Sequence, residues 1–390
     1  MVRTPALRAG PVGRARAALS KGPVPRFTSA LRSPWLVSRL GLWLALAIGV
    51  CFATGLYSHA LQHPAWWFTF PTRPVSLYRV TQGVHVATGL AAIPLLAAKL
   101  WSVYPRLFAL PPVRDAAHAL ERAGIAALVA GTLFEFVTGV LNVARVYGLM
   151  PFYFPAAHYR AAWLVVGGLL LHVAVKLPLI RAALTGPPPA PAPDGVSRRA
   201  LFGFVGAAGI AVTAATLGQT LRPLAGLSVL APRDPRIGPQ GLPVNRTAAA
   251  AGVRTTAEEY RLEVAGPART LRLSLADLAA LPQHTATLPI ACVEGWSANG
   301  VWSGVRVTDL VRAVGGTRDS GVTVESLQRA GRYRVSTLDS AQAADPLALL
   351  ALRLGGEPLH PDHGYPLRLI APNRPGVLQT KWVGRIEVSA

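Results

Sequence analysis

The chain has 390 residues, of which 51% are hydrophobic and 15% charged, and a formal net charge of +21. So large an apolar share over this length excludes an all-soluble protein and puts part of the chain in lipid. A basic excess can mark a nucleic-acid binder, but here the cations gather at the ends of apolar runs, which argues against nucleic acid as a partner.

Residues 1–34 form a basic tail with Arg3, Arg8, Arg14, Arg16, Lys21, Arg26 and Arg32 and no acid. Residues 35–185 follow as one unit with apolar runs at 36–58, 78–103, 119–143 and 161–184. Each has about the 20 residues a helix needs to cross hydrocarbon. The alternate loops differ in charge. Lys99 near the end of the second run joins Arg106 and Arg114 in the connection to the third, and Lys176 and Arg181 near the end of the fourth join Arg198 and Arg199 beyond it. The opposite loops hold only Arg73 and Arg79, then Arg145 and Arg160. By the positive-inside rule the N-terminus and the richer loops stay in the cytoplasm. The expectation is a multi-pass protein of the cytoplasmic (plasma) membrane, its basic excess facing anionic lipid of the bilayer.

Histidines within such runs are costly unless they have a task. His158 and His172 are 14 residues apart, so they leave one face of a helix nearly four turns and about 21 Å apart. His85 lies about two turns into the second run. Aligning "AAKLW" with "VAVKLP" puts Lys99 and Lys176 at one boundary and His85 within about a turn of His158. His59 competes for the same pairing, while His63 and His118 read as interfacial and His172 has no obvious partner. This part resembles the four-helix cytochrome b subunits of membrane oxidoreductases. The resemblance implies haem b, one or two, with His85, His158 and His172 as iron ligands, and electron exchange with the quinone pool.

Residues 186–200 are a Pro-rich linker, which stiffens and extends the chain, and 201–222 form a fifth, Ala- and Gly-rich helix. "SRRALFGF", with Arg198 and Arg199, resembles a twin-arginine export signal, although Leu201 and Phe202 stand in shifted order. That implies the twin-arginine export machinery as a partner and places residues 223–390 outside the cytoplasm. An ordinary basic flank is the alternative.

Residues 223–390 read as short strands with few helices, punctuated by Gly and Pro: a mixed α+β, strand-rich domain. Cys292 is its only cysteine, and Cys51 sits inside the first apolar run, so no disulfide joins them. An unpaired exported thiol is either a buried hydrophobe or a metal ligand.

"CVEGWSANGVWSGVRVTDLV", "LALRLGGEPLHPDHGYPLRLIAPNRPG" and "QTKWVGRIEV" together resemble the molybdopterin domain of the sulfite oxidase family over residues 240–390. The first stretch is nearest to the type of the periplasmic methionine sulfoxide reductase catalytic subunit. The resemblance implies a molybdopterin cofactor, with Cys292 as the thiolate ligand of molybdenum. It implies Asn245, Arg246, His363, Asn373, Arg374, Gly376 and Lys381 as cofactor contacts. Arg332, Arg334 and Arg368 are candidates for polarising a substrate oxygen, and Trp296 reads as packing. The overall expectation is an N-terminal all-α membrane bundle, four helices plus a fifth anchoring helix, followed by a sulfite-oxidase-type domain. Its function would be two-electron oxygen transfer on a small or protein-bound S- or N-oxide or oxyanion. The alternatives are a membrane-anchored binding or sensory module that keeps the fold without metal, and a haem-only reductase.

Overall fold

The computed structural model describes residues 30–64, 69–107, 111–190, 196–234 and 237–390. The expected basic tail before residue 30, and residues 191–195 of the expected linker, lie outside the described residues.

Five long helices come first: α1 (Pro34–Gln62), α2 (Leu77–Leu107), α3 (Ala116–Ala144), α4 (Phe154–Thr185) and α5 (Arg198–Leu217). All five are long and apolar enough to cross a membrane. Their starts follow local chemistry. Ser33, Asp115 and Ser197 accept backbone N–H groups of α1, α3 and α5, which satisfies donors that have no partner inside the helix. The start of α4 lies ahead of the apolar run at 161 because Pro155 occupies its first turn, where a missing N–H costs nothing. Phe154 is buried there. This brings His158 inside the helix. α1 packs against α2 and α4, α3 against α4, and α5 mainly against α2. Phe204 and Ile210 on α5 are each 72% exposed, as expected of a helix whose outer face meets lipid.

The C-terminal domain holds ten strands among the described residues: β1 (Arg261–Ala265), β2 (Thr270–Ser274), β3 (His284–Ala291), β4 (Ser297–Arg306), β5 (Val322–Ser326), β6 (Val335–Leu338), β7 (Leu349–Leu354), β8 (Glu357–Pro358), β9 (Arg368–Ile370) and β10 (Val383–Val388). One sheet has the order β2-β1-β10-β5-β6; the other runs β3-β4-β7-β8, with β9 also on β7. Among the strands of the described residues, only β1 and β10 pair in parallel. The alternation of strand side chains buries Leu262, Val264, Val324 and Ile386 in one core. Leu288, Trp302, Ile370 and Cys292 lie in the other.

A further cluster joins the two halves: Leu61 and Tyr78 of the bundle pack with Phe70 and Ala291. Polar bonds reinforce this seam. Arg73 donates to Asp345 at 2.6 Å and Arg79 to Asn299 at 2.9 Å.

Candidate functional site

Ala291 and Ser297 form the last pair of the β3–β4 hairpin, and residues 292–296 make its tip. The tip closes on itself: Cys292 N–H donates to the Trp296 carbonyl at 2.8 Å, and Gly295 N–H to that of Cys292 at 3.0 Å. Gly295 has φ +91°, a conformation that favours glycine. A Cβ there would also come within 2.8 Å of Val86 on α2.

That close approach reflects a plug-and-socket contact with the bundle. The Val293 carbonyl accepts from Gln82 of α2 at 2.8 Å and from Asn142 of α3 at 3.2 Å. Gln219, just beyond α5, donates to the Glu294 carbonyl at 3.4 Å, and Thr220 donates to that of Gly295. Every carbonyl from 293 to 295 is thus held by the membrane half, which removes the desolvation cost of a buried loop.

Cys292 is 4% exposed. Asn245 points its Nδ2 at Sγ from 3.1 Å and donates to Glu294 Oε2 at 2.9 Å, while its Oδ1 accepts from Trp296 Nε1 at 3.2 Å. Glu294 Oε1 accepts from the Tyr147 hydroxyl at 3.0 Å and lies 3.2 Å from Arg145 Nε. Burial, and then the Glu294 charge, push the Cys292 thiol up to about 12. Burial also raises Glu294, against the pull of Arg145, and raises the Tyr147 hydroxyl. A thiol in this setting stays protonated unless something cationic binds it.

The expected cofactor contacts fall into two groups. Lys381 Nζ donates to the carbonyls of Asp362 at 2.6 Å and Arg246 at 3.0 Å. Burial, then the Arg368 charge, pull it down to about 7, while Asp362 and Cys292 act in the other direction. Arg368 is buried, donates to the His363 carbonyl at 3.1 Å and lies over the Trp302 ring; burial lowers it to about 9. Gly376 lies against the end of β3, where a Cβ would be 3.2 Å from the Ala291 carbonyl. These residues sit around the cysteine strand.

The others are committed elsewhere. The Asn373 amide accepts from Tyr78 N–H at 2.8 Å and donates to the Pro71 carbonyl at 2.5 Å, so it ties the domain to the bundle. His363 is held by the Pro239 carbonyl at 2.6 Å, and burial lowers it to about 4. Arg374 is buried against Gln342 at 2.5 Å and the Leu378 carbonyl at 3.3 Å. Arg334 pairs with Glu325 at 3.4 Å on the far sheet.

A cavity of about 610 Å³ runs from Cys292, Asn245 and Glu294 into the bundle, past His85 and His158, to His59, His63 and Arg332. The His85 and His158 rings are 6.4 Å apart. His85 Nδ1 contacts the Cys51 carbonyl at 2.9 Å, and His158 Nδ1 contacts Thr138 Oγ1 at 2.8 Å. Such bonds fix ring orientation and leave Nε2 for a metal. His158 Nε2 is 3.1 Å from Glu135, a contact that iron ligation would exchange. His172 does not line this cavity. Arg332 donates to His63 Nε2 at 2.8 Å at its exposed rim.

Residues 249–390 match the family described as "Oxidoreductase molybdopterin binding domain". The mitochondrial sulfite oxidase of Drosophila melanogaster is 33% identical over 157 residues, covering 34% of this chain and 27% of that one. The C-terminal domain belongs to the sulfite oxidase family. A second relative, "Putative protein-methionine-sulfoxide reductase subunit YedZ1" of Azospira oryzae, is 35% identical over 134 residues, 34% of this chain and 50% of that one. The uncharacterized oxidoreductase YuiH of Bacillus subtilis is 34% identical over 116 residues, 30% of this chain and 57% of that one. The matches thus span about a quarter to just over half of these relatives. Among solved structures, the sulfane dehydrogenase SoxCD of Paracoccus pantotrophus aligns with a TM-score of 0.33 at 23% identity, over 35% of this chain and 40% of that one.

The residues present fit a molybdopterin. Among the described residues no group of three or more His, Cys, Asp or Glu could hold a metal, so a metal bound by Cys292 would need further donors from outside such a group. Lys381 feels the charges of Arg368, Arg246 and Cys292, a gathering of cations near the thiol that suits a phosphate-bearing cofactor. The buried Arg368 Nε and Gln379 Oε1 have no partner within the protein.

Reading the sequence alone missed Gln82, Asn142, Tyr147 and Gln219, took Arg145 for a topology charge, and gave Glu294 no role. Each is an isolated polar residue in an apolar setting, which is the one signal that could have flagged them.

Proposed function

We propose that the chain is a membrane-bound molybdopterin-dependent oxidoreductase. It would perform two-electron oxygen transfer on a small or protein-bound S- or N-oxide or oxyanion, and exchange electrons with quinone through haem b. The observation that carries this reading is the shared cavity, with Cys292 at one end and the His85–His158 pair along its wall.

Cys292 would hold the molybdenum, which supplies the oxygen-atom and two-electron chemistry when bound. In the reductive direction the substrate's oxygen leaves as water with two protons and two electrons; oxidation runs the same balance backwards. Asn245 orients the sulfur. Lys381, Arg246 and Arg368 neutralise the cofactor's phosphate, and Gly376 allows close backbone approach. Arg332, at the cavity rim, is the cation best placed to meet an incoming oxide or oxyanion. His85 and His158 would ligate one haem; His172 would serve a second only with a partner from outside this cavity. The loop charges support an inside N-terminus, with the seam and its cavity on the outer side, and Arg198–Arg199 support twin-arginine export.

The test is metal analysis with a haem spectrum on one sample of full-length protein. The native chain should carry about one molybdenum, as expected of one thiolate site, and Cys292→Ser should lose it while keeping the haem band. A folded native chain free of molybdenum would support the metal-free binding module. Dye-linked activity unaffected by Cys292→Ser would support the haem-only reductase.

A further inference from the structure

We infer that the membrane bundle supplies part of the metal site: Arg145, at the end of α3, is a positioning residue that sets the charge felt at the Cys292 sulfur through Glu294 and Asn245. The inference rests on the proposed placement of molybdenum at Cys292.

Arg145 caps α3 with φ 61° and ψ 34°, the left-handed conformation ordinarily given to Gly or Asn at a helix end. A cation near a helix C-terminus gains from the dipole, but any Lys or Arg of the last turn would do that without the strain. This guanidinium instead reaches across the seam, donating to the Asn245 carbonyl at 2.8 Å and lying 3.2 Å from Glu294 Oε1. Its Nε–H is not aimed along a hydrogen bond, so the contact with Glu294 is one of charge.

The connections then close into a ring. Arg145 holds the backbone of Asn245, the Asn245 amide reaches both the sulfur and Glu294, and Glu294 returns to Arg145. Tyr147, three residues beyond the last turn of α3, adds its hydroxyl to the same carboxylate oxygen. The Glu294 side chain is 7% exposed, so water screens it little. An anion close to a metal favours the more oxidised state, and a cation opposes it. Arg145 therefore offsets a carboxylate that would otherwise hold the metal oxidised.

Opposite charge removals must shift the potential in opposite directions, which a merely structural contact would not do. The experiment is a redox titration of the Mo(V) resonance, with metal content, on the full chain in lipid nanodiscs. Arg145→Gln should lower the Mo(VI)/Mo(V) potential and Glu294→Gln should raise it. The double variant should return close to the native value, and Arg145→Lys should also stay close to it. Shifts of the same sign, or no shift in variants that carry molybdenum, overturn the inference. If Arg145→Gln loses the metal, retention in Arg145→Lys supports a role for the charge. If both lose it, Tyr147→Phe decides: a lowered potential supports the inference and an unchanged one overturns it. A native chain without molybdenum refutes the functional reading itself, whereas molybdenum with a charge-insensitive potential refutes this inference alone.

Discussion

The two ends of the helical bundle handle their cations differently. At the end that meets the C-terminal domain they are few, and three of them bond across the seam: Arg73 to Asp345, Arg79 to Asn299 and Arg145 to the Asn245 carbonyl. At the other end several turn inward. Arg39 donates to the Ala183 carbonyl at 3.2 Å and lies 3.6 Å from the Trp35 ring, Lys99 donates to that of Val37 at 2.6 Å, and Arg122 to that of Leu107. The number of charges at an end carries orientation, while the partner of each charge carries architecture. Fewer cations therefore do more at the seam.

The largest expected effect concerns the histidines on either side of this divide. His158→Ala or His85→Ala should abolish the reduced-minus-oxidised haem band, while His172→Ala should leave it. A band halved by His172→Ala would instead show a second haem in the half remote from the seam.

Next comes the cost of breaking a charge at each end. Arg73→Ala strands Asp345, which is 4% exposed, without its cation, and a buried acceptor without a partner costs about 1–3 kcal/mol. Because Arg73 is itself half-exposed, the lower part of that range is expected, read as a reduced thermal midpoint in nanodiscs. Arg39→Ala should lower the midpoint less. Equal losses at both ends would mean that the seam contributes no more than an ordinary helix contact.

The smallest effect is one of pH. Lys381 is lowered from 10.5 to about 7 in the folded chain. Between these values the unfolded chain holds more protons, so this group's contribution to stability increases as pH rises. Its hold on an anionic phosphate runs the other way and is strongest below about pH 7, where the ammonium is charged. Retention of the cofactor after dilution should fall severalfold between pH 6 and pH 8, and Lys381→Gln should flatten that dependence. A steeper loss in the variant would mean that another group binds the phosphate.

Much of this was legible in the sequence because it rests on periodic or compositional physics. Apolar length marked all five spans, and helical rise put His85 and His158 at one depth, as their 6.4 Å ring separation bears out. Side-chain direction was not legible. Asn373 lies within a motif that supports the cofactor reading, yet its amide faces Tyr78 and Pro71. His363 points to the Pro239 carbonyl, set by a turn more than 120 residues away in sequence. Gln82 and Gln219 looked incidental because their partner, the hairpin tip, is distant in sequence.

The hairpin tip seated among helix ends has a consequence for covalent continuity. The two halves are held together by the fit of residues 292–297 into α2, α3 and the chain just past α5, by α5 lying on α2, and by the seam cluster and its ion pair. The described residues of the Pro-rich stretch, 186–190 and 196, are not among the partners in those hydrogen bonds. A chain severed there would remain assembled as two polypeptides, so one gene or two could encode the same machine.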